Sequence, residues 1–492
     1  MSGHYTARIL IYTHRWLGIA IGLIFIVWFL SGIVMMYARL PALERAERLA
    51  RALAIAPASI RVDPPMLDGE ITSLSIRSLE GRPVYRITAN GVDHVAFADS
   101  GGAVPDVDRD QALRIARAFA GVGEVRYDAR LTDADQWTFD VRRQMPLHRI
   151  AVEDGNGTRL YVAEHGGEVV ARTTASGRRW GWLGAVLHWL YFAPLRRHAT
   201  LWSNTVIALS LAGTVLCAVG VMWGLWRFAP LRGYRLRDRR QWTPYAFAMR
   251  WHHYLGLIFG LTTLTSVFSG LLSMDPWSWS PGTSATREQR VRLAGGSLST
   301  ADLSAERIRQ VVEAFRPRMA KEIEIVRFRG RYYASAAEGI VSFDEPHLGA
   351  QEQLPPDLVI GAARVVMPEW HVEGMHWMEE YDSYYYDRHG SKSLPVLRVK
   401  YGDPQQTWLY IDARQGTIAR KEERLSRLNR WLYHGFHSFD FPWLYYRRPL
   451  WDIAVLVFTA GGVTLSALTL RVGWRRVKRS LRRLIPSPPG AS

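Results

Sequence analysis

The stretch HRWLGIAIGLIFIVWFLSG, His14–Gly32, is apolar enough to sit in lipid, yet it opens on a histidine and an arginine. A second stretch, HHYLGLIFGLTTLTSVFSG from His252 to Gly270, repeats it at an offset of 238 positions. Under that shift His14 falls on His252, Gly18 on Gly256, Gly22 on Gly260, Ser31 on Ser269 and Gly32 on Gly270. The histidine therefore belongs to a repeated design, and the repeat has to be read before anything else.

A longer repeat follows at an offset of 249, without a gap. Pro146 falls on Pro395, Arg149 on Arg398, Thr158 on Thr407, Tyr161 on Tyr410 and Gly167 on Gly416. Further along, Trp182 falls on Trp431, His188 on His437, Trp202 on Trp451 and Gly213 on Gly462. The chain reads as a tandem duplication whose copies run in parallel, related by a pseudo-two-fold axis along the membrane normal.

Four apolar runs, near 15–38, 201–226, 252–274 and 450–470, reach the roughly 20 residues that cross a bilayer core as helix. The first is too long for the apolar centre of a cleaved signal peptide, and its twin cannot be one. The formal charge is +17, and its location decides what it means. Residues 1–15 hold Arg8 and Arg15, residues 227–250 hold seven arginines against Asp238, and residues 471–492 hold six arginines and Lys478 with no acid. Nearly all the excess abuts membrane spans. That is the positive-inside pattern, so both termini and the 227–250 loop are expected in the cytoplasm, and nucleic acid is not an expected partner.

The expected order is a cytoplasmic N-terminus and first span (1–38), an exported domain (39–200), a second span (201–226) and a basic loop (227–250). A third span (251–274), a second exported domain (275–449), a fourth span (450–470) and a basic tail (471–492) follow. In a bacterium this places the chain in the inner membrane with its large domains in the periplasm. Cys217 is the single cysteine and sits within a span, which excludes an internal disulfide, a cysteine-ligated zinc or iron–sulfur centre and a covalently attached c-type haem. Any haem must be held without covalent bonds.

Within the exported stretches, DQALRIARAFA (110–120) and ADLSAERIRQVVEAF (301–315) have helical spacing, the second opened by a Ser or Asp cap. TRLYVAEHGGEVVA (158–171) and TWLYIDARQGTIAR (407–420) alternate around a glycine turn and read as hairpins. EVRYDARL, QWTFDVR, KEIEIVRFRGRYYAS and DSYYYDRH are expected to add strands. This order of helix, strands, LYVAEHGGEVV hairpin and histidine-bearing helix leading into a span resembles the PepSY-associated transmembrane proteins, over nearly the whole chain. The resemblance implies four transmembrane helices with two α+β PepSY-like periplasmic domains. It also implies kinship with inner-membrane ferrisiderophore reductases that carry two b-type haems.

Of the fifteen histidines, His4, His94, His148, His165, His347, His371, His376 and His389 lie in the tail or the exported stretches and need no role. Near the membrane lie His14, His188, His198, His252, His253, His434 and His437, where an ionisable residue is a functional candidate. His198 aligns with Arg447, His253 with Arg15 and His434 with Ala185; only His14 with His252 and His188 with His437 match as pairs. Two imidazoles facing one another suit the two axial positions of a low-spin haem. His14, His252, His188 and His437 are therefore the expected iron ligands, one pair at the cytoplasmic edge and one at the periplasmic edge. His434, one turn before His437, is the alternative for the outer pair. Gly18, Gly22, Gly256 and Gly260 share a helix face with the histidines, leaving a groove for a flat macrocycle or else a surface for close helix packing. Arg15, His253 and Arg250 could pair with the inner haem's propionates, and Arg196, Arg197, Arg447 and Arg448 with the outer pair.

The functional expectation is a haem-dependent oxidoreductase passing electrons across the inner membrane to a periplasmic acceptor; the family resemblance implies that this acceptor is a ferric siderophore, reduced from Fe(III) to Fe(II) for iron acquisition. No catalytic acid or base is required. The segment EWHVEGMHWMEEYDSYYYD (369–387) is rich in aromatics and carboxylates and suits either the acceptor or a sheet face. The chain has no G-x-G-x-x-G fingerprint, so the donor is expected to be a quinol or a separate flavin reductase. The rival readings are a membrane-anchored PepSY-type binding or regulatory module, which has no use for paired membrane histidines, and a haem or iron transporter.

Overall fold

The computed structural model of the protein describes residues 2–121, 123–236, 239–387 and 392–484. Four helices are long and apolar enough to cross a membrane: Tyr5–Met35, Ala199–Arg227, Ala248–Leu272 and Leu450–Arg479. They fall on the four expected runs. The first and last overrun their expected limits, starting at Ser2 and ending at Leu484, because no proline interrupts either extension. Residues 485–492 of the basic tail, with 237–238 of the basic loop, lie outside the described residues.

The chain divides into two compact units. The helical unit takes Met1–Leu40, Ser176–Ser280 and Leu428–Ser492. In it the first spanning helix packs on the second and the last, and the third packs on the same two, so the first and third stand diagonally. Ile21, Phe25, Leu216 and Val267 fill the centre. Glycines admit the larger rings: a Cβ on Gly461 would come within 2.5 Å of the Phe259 ring, and one on Gly213 within 3.2 Å of the Phe25 ring. The second and fourth spanning helices are each preceded by a short helix interrupted by a wide π turn, at Trp182–Val186 and Trp431–Gly435. Each ends on a left-handed residue, Leu190 or Phe439. These positions differ by 249.

The sheet unit takes Pro41–Ala175 and Pro281–Arg427. Its strands are β1 (Ile71–Leu79), β2 (Arg82–Ala89), β3 (Val92–Phe97), β4 (Val125–Leu131), β5 (Leu147–Val152), β6 (Thr158–Ala163) and β7 (Val169–Thr173). A two-stranded hairpin, β8 (Tyr234–Leu236) and β9 (Arg239–Gln241), belongs to the basic loop of the helical unit. The sheet unit continues with β10 (Glu322–Phe328), β11 (Arg331–Ala336), β12 (Gly339–Ser342), β13 (Val372–Met378), β14 (Val396–Tyr401), β15 (Trp408–Asp412) and β16 (Thr417–Glu422). Two four-stranded antiparallel sheets, β4-β5-β6-β7 and β13-β14-β15-β16, carry the expected hairpins, each turning through a left-handed glycine, Gly167 or Gly416.

Both expected helices form, at Arg109–Ala120 and Ala305–Ala314; Asp108 caps the first and Ser304 the second. A third sheet of order β12-β11-β10-β1-β2-β3 draws strands from both stretches, which meet where β1 pairs with β10. That seam is closed by ions. The Glu322 carboxylate, its side chain 2% exposed, is 2.8 Å from Arg45, 2.6 Å from Arg48 and 3.0 Å from Arg77. Glu168 binds Arg48 and Arg77 at 2.7 Å each, and Arg86 as well.

Two expected strands are not strands. QWTFDVR folds into a 3-10 turn at Phe139–Gln144, and DSYYYD is an irregular loop, with its last two expected residues, 388–389, outside the described ones. The cause is the same in both. Asp135 accepts from the Trp137 amide, Arg149 and the Tyr161 hydroxyl, while Asp382 accepts from the Tyr384 and Tyr385 amides, Arg398 and the Tyr410 hydroxyl. Such local side-chain bonds offer the backbone an alternative to a ladder. Arg149 and Tyr161 are the repeat partners of Arg398 and Tyr410, so the same device covers the outer face of both small sheets. The segment 369–387 supplies β13 and this covering loop. His148 is buried and bonded to the Val107 carbonyl at 2.8 Å, as a histidine without a functional role should be.

Candidate cofactor site between paired histidines

His14 sits three turns into the first spanning helix and His252 one turn into the third. These helices are diagonal in the bundle, and the two rings meet with centroids 6.0 Å apart. His188 and His437 lie just beyond the two π turns, and their rings meet at 5.9 Å. These are the two histidine ring pairs found among the described residues, and they are the two that the repeat selects.

The π turn also separates His434 from His437. The His434 ring lies 4.5 Å from that of Tyr433, while His437 is the one that faces His188. His198 stands at the start of the second spanning helix, and His253 contacts Tyr245 and Phe228.

In each ring Nδ1 is occupied. His14 Nδ1 lies 3.1 Å from the Leu216 carbonyl, and the His252 ring bonds the carbonyl of Leu465, its repeat partner, with Thr469 Oγ1 3.4 Å from Nδ1. His188 Nδ1 lies 3.1 Å from both the Trp28 carbonyl and Ser31 Oγ. His437 Nδ1 lies 3.0 Å from the Ser266 carbonyl and 3.2 Å from Ser269 Oγ. A carbonyl can only accept, so Nδ1 of His14, His188 and His437 carries the proton; Thr469 gives its hydroxyl hydrogen to the Leu465 carbonyl at 3.0 Å, so it accepts from His252 Nδ1, and each Nε2 keeps its lone pair. Metal-binding histidines are held in this way, the outer hydrogen bond fixing tautomer and ring plane.

The surroundings of the rings are cut to fit. A Cβ on Gly220 would sit 2.5 Å from the His14 ring, so only glycine leaves room there. Its repeat partner is Thr469, whose hydroxyl touches His252 instead. Gly32 and Gly270 lie beside His188 and His437, where an added Cβ would make ordinary van der Waals contact with the ring at 3.6 and 3.5 Å. The glycine stripe beside His14 divides its tasks. Gly18 and Gly22 bring the first helix against Thr469 and Leu470 of the last, at 3.3 and 3.2 Å for an added Cβ, which is helix packing. Gly22, Gly256 and Gly260 also line a cavity of about 320 Å³ that holds His14 and His252.

Other walls of that cavity are Leu216, Cys217, Gly220, Trp223 and Tyr245, with Arg15, His253 and Arg476 among them. Arg250 is not; its guanidinium lies 5.8 Å from the Trp251 ring. Among the described residues no three His, Cys, Asp or Glu side chains cluster as a protein-only metal site. A pair of imidazoles is two ligands short of even a tetrahedral centre, but it is complete for an ion whose other four donors come from a macrocycle. A metal bound by a nitrogen on each side at about 2 Å puts the two ring centres roughly 6 Å apart, as both pairs have them. Ring spacing and tautomer at both pairs, and the cavity at His14–His252, fit a bis-imidazole haem.

The family model for the PepSY-associated TM region matches residues 11–322 of the chain. No curated protein matches the chain. The matched segment includes three of the four paired histidines, His14, His188 and His252. The chain is a membrane protein of the PepSY-associated transmembrane family.

Proposed function

We propose that the chain is a di-haem membrane oxidoreductase that passes electrons from the cytoplasmic side to a periplasmic ferric siderophore, for iron acquisition. The observation that carries this reading is the pair of histidine pairs, each at haem-ligand spacing, with Nδ1 tied to a backbone carbonyl in His14, His188 and His437 and to the Thr469 hydroxyl in His252. Iron held between two imidazoles supplies one-electron exchange with no position open to oxygen. The chain's part is to fix the four Nε2 lone pairs, exclude water with Phe25, Ile21 and Val267, and space the two sites. Ser31, which touches His188, is 17 residues past His14 on one helix, and Ser269 is 17 past His252, so the two levels are about 25 Å apart.

The tandem duplication is part of the proposal. The partners of His188 and His437 obey the 238 offset, Trp28 with Ser266 and Ser31 with Ser269, and the partners of His14 and His252 obey the 249 offset. The arginine distribution supports the orientation, with the sheet unit in the periplasm and the basic loop and tail in the cytoplasm of a bacterial inner-membrane protein.

The test is electron delivery. Protein reduced with a quinol should be reoxidised by a ferric siderophore, with Fe(II) appearing in a chelator trap; haems that stay reduced while no Fe(II) forms would contradict the reading. NADPH alone should leave the purified protein oxidised, since among its described residues the basic loop forms a β8–β9 hairpin where a dinucleotide domain would be needed. A quinol or an added flavin reductase should restore reduction. Rapid reduction by NADPH without a partner would refute this choice of donor.

A further inference from the structure

We propose that Arg15 and Arg476 hold the carboxylates of the tetrapyrrole in the His14–His252 cavity, and so fix which edge of the macrocycle faces that end of the bundle; this rests on the haem reading above. The cavity wall contains both arginines, and no Asp or Glu lines it among the described residues. Arg15 Nε is buried with no hydrogen-bond partner, and neither guanidinium has an ion pair among the described residues. The two cations also repel one another. Cations collected in a largely apolar, membrane-level cavity are costly unless an anion joins them, and the wall supplies none. The missing partner is therefore a ligand with negative charge at this end. The planar guanidinium fork suits a carboxylate, to which it bonds in two places.

Tyr245 adds a neutral donor: its oxygen accepts from Trp223 Nε1 at 2.8 Å, which leaves its own O–H to give. Arg15 follows His14 directly, and Arg476 is seven residues beyond Thr469, about 10 Å further along the last helix. Arg476 thus lies toward the end of the cavity where Ile11 and Met249 close the wall, and Arg15 stands at the level of the histidine pair itself.

His253 is a different case, although it aligns with Arg15. Its Nε2–H donates to the Gly224 carbonyl at 2.8 Å, so in the neutral ring the unpartnered, buried Nδ1 is an acceptor. An ionised carboxylate does not satisfy an acceptor. His253 is therefore no anchor for the anion.

The experiment uses the full chain carrying His188→Ala and His437→Ala, so that only the cavity site is read, prepared haem-free and titrated in detergent. The probes are iron protoporphyrin IX and its dimethyl ester, in which both carboxylates are blocked, with Soret absorbance as the readout. The ester should bind about tenfold or more weakly than the free acid, the size expected for lost charge-assisted bonds. Adding Arg15→Gln and Arg476→Gln should bring the free acid down to the ester's level. Equal binding of acid and ester by the chain with both arginines would overturn the proposal while leaving the haem reading standing. If neither tetrapyrrole binds, the haem reading falls and takes the proposal with it.

Discussion

Glu322→Ala should destabilise the sheet unit by about 3–5 kcal/mol, the range for removing one partner of a buried ion pair. Glu322 opens β10 and faces Arg77 across the β1–β10 seam, where the two stretches share one sheet. Its carboxylate is 2% exposed and gathers Arg45, Arg48 and Arg77. Truncation leaves those three arginines sharing Glu168 and Glu324 alone, with the positive charge of the seam uncompensated. Burial by itself would raise the Glu322 carboxyl, but Arg77, Arg48 and Arg45 outweigh it and hold it below the ordinary range. A carboxyl lowered on folding stabilises the fold above its unfolded pKa of about 4.3, and that stability drains away as pH falls through the lower folded value. Thermal unfolding in detergent from pH 7 to pH 3 should therefore show a gap between parent and Glu322→Ala that narrows below about pH 4. A variant that unfolds with the parent at neutral pH would show the seam is held by the strand pairing alone.

The second large effect is on cofactor content. Alanine at His14 or at His252 should remove the same haem, and alanine at His188 or at His437 should remove the other. Each pair draws on both halves of the chain, and the two levels are about 25 Å apart along a regular helix, too far for His14 and His188 to share one ion. Gly220→Val should behave like His14→Ala, because the space a Cβ would take is filled by the His14 ring. His434→Ala should keep both haems. The reduced difference spectrum of each variant checks the pairing; loss of one common haem in His14→Ala and His188→Ala would break it.

The four paired histidines could be read in the chain because they recur at fixed offsets while His198, His253 and His434 do not. The spanning helices were legible for a similar reason, since a run of apolar residues needs no partner to announce itself. What holds the histidines was not. The partners of Nδ1 are mainly carbonyls, of Leu216, Trp28 and Ser266, and a backbone oxygen leaves no mark on residue identity. Ser31 and Ser269 did leave one, as matched hydroxyls a few residues from the ends of matched spans. Gly220 escaped because the repeat replaces it with Thr469, so symmetry gave no signal.

In the sheet unit β1, β2 and β3 form a meander whose second turn, Asn90–Gly91, is a strong hairpin dipeptide that could have been used. The strands expected at QWTFDVR and DSYYYDRH failed where an aspartate found bonds to its own neighbours and to an Arg–Tyr pair on the sheet beneath. The seam at Glu322 joins residues 274 positions apart from Arg48, a separation at which no local pattern speaks.

The most direct measurement is the haem content of the purified, detergent-solubilised full chain, taken as pyridine haemochrome per polypeptide together with the low-temperature EPR of the oxidised protein. Two b-type haems per chain, both low-spin with two imidazole ligands, is the predicted result. A monodisperse, helical preparation expressed with ample haem that binds none would contradict the paired-histidine account.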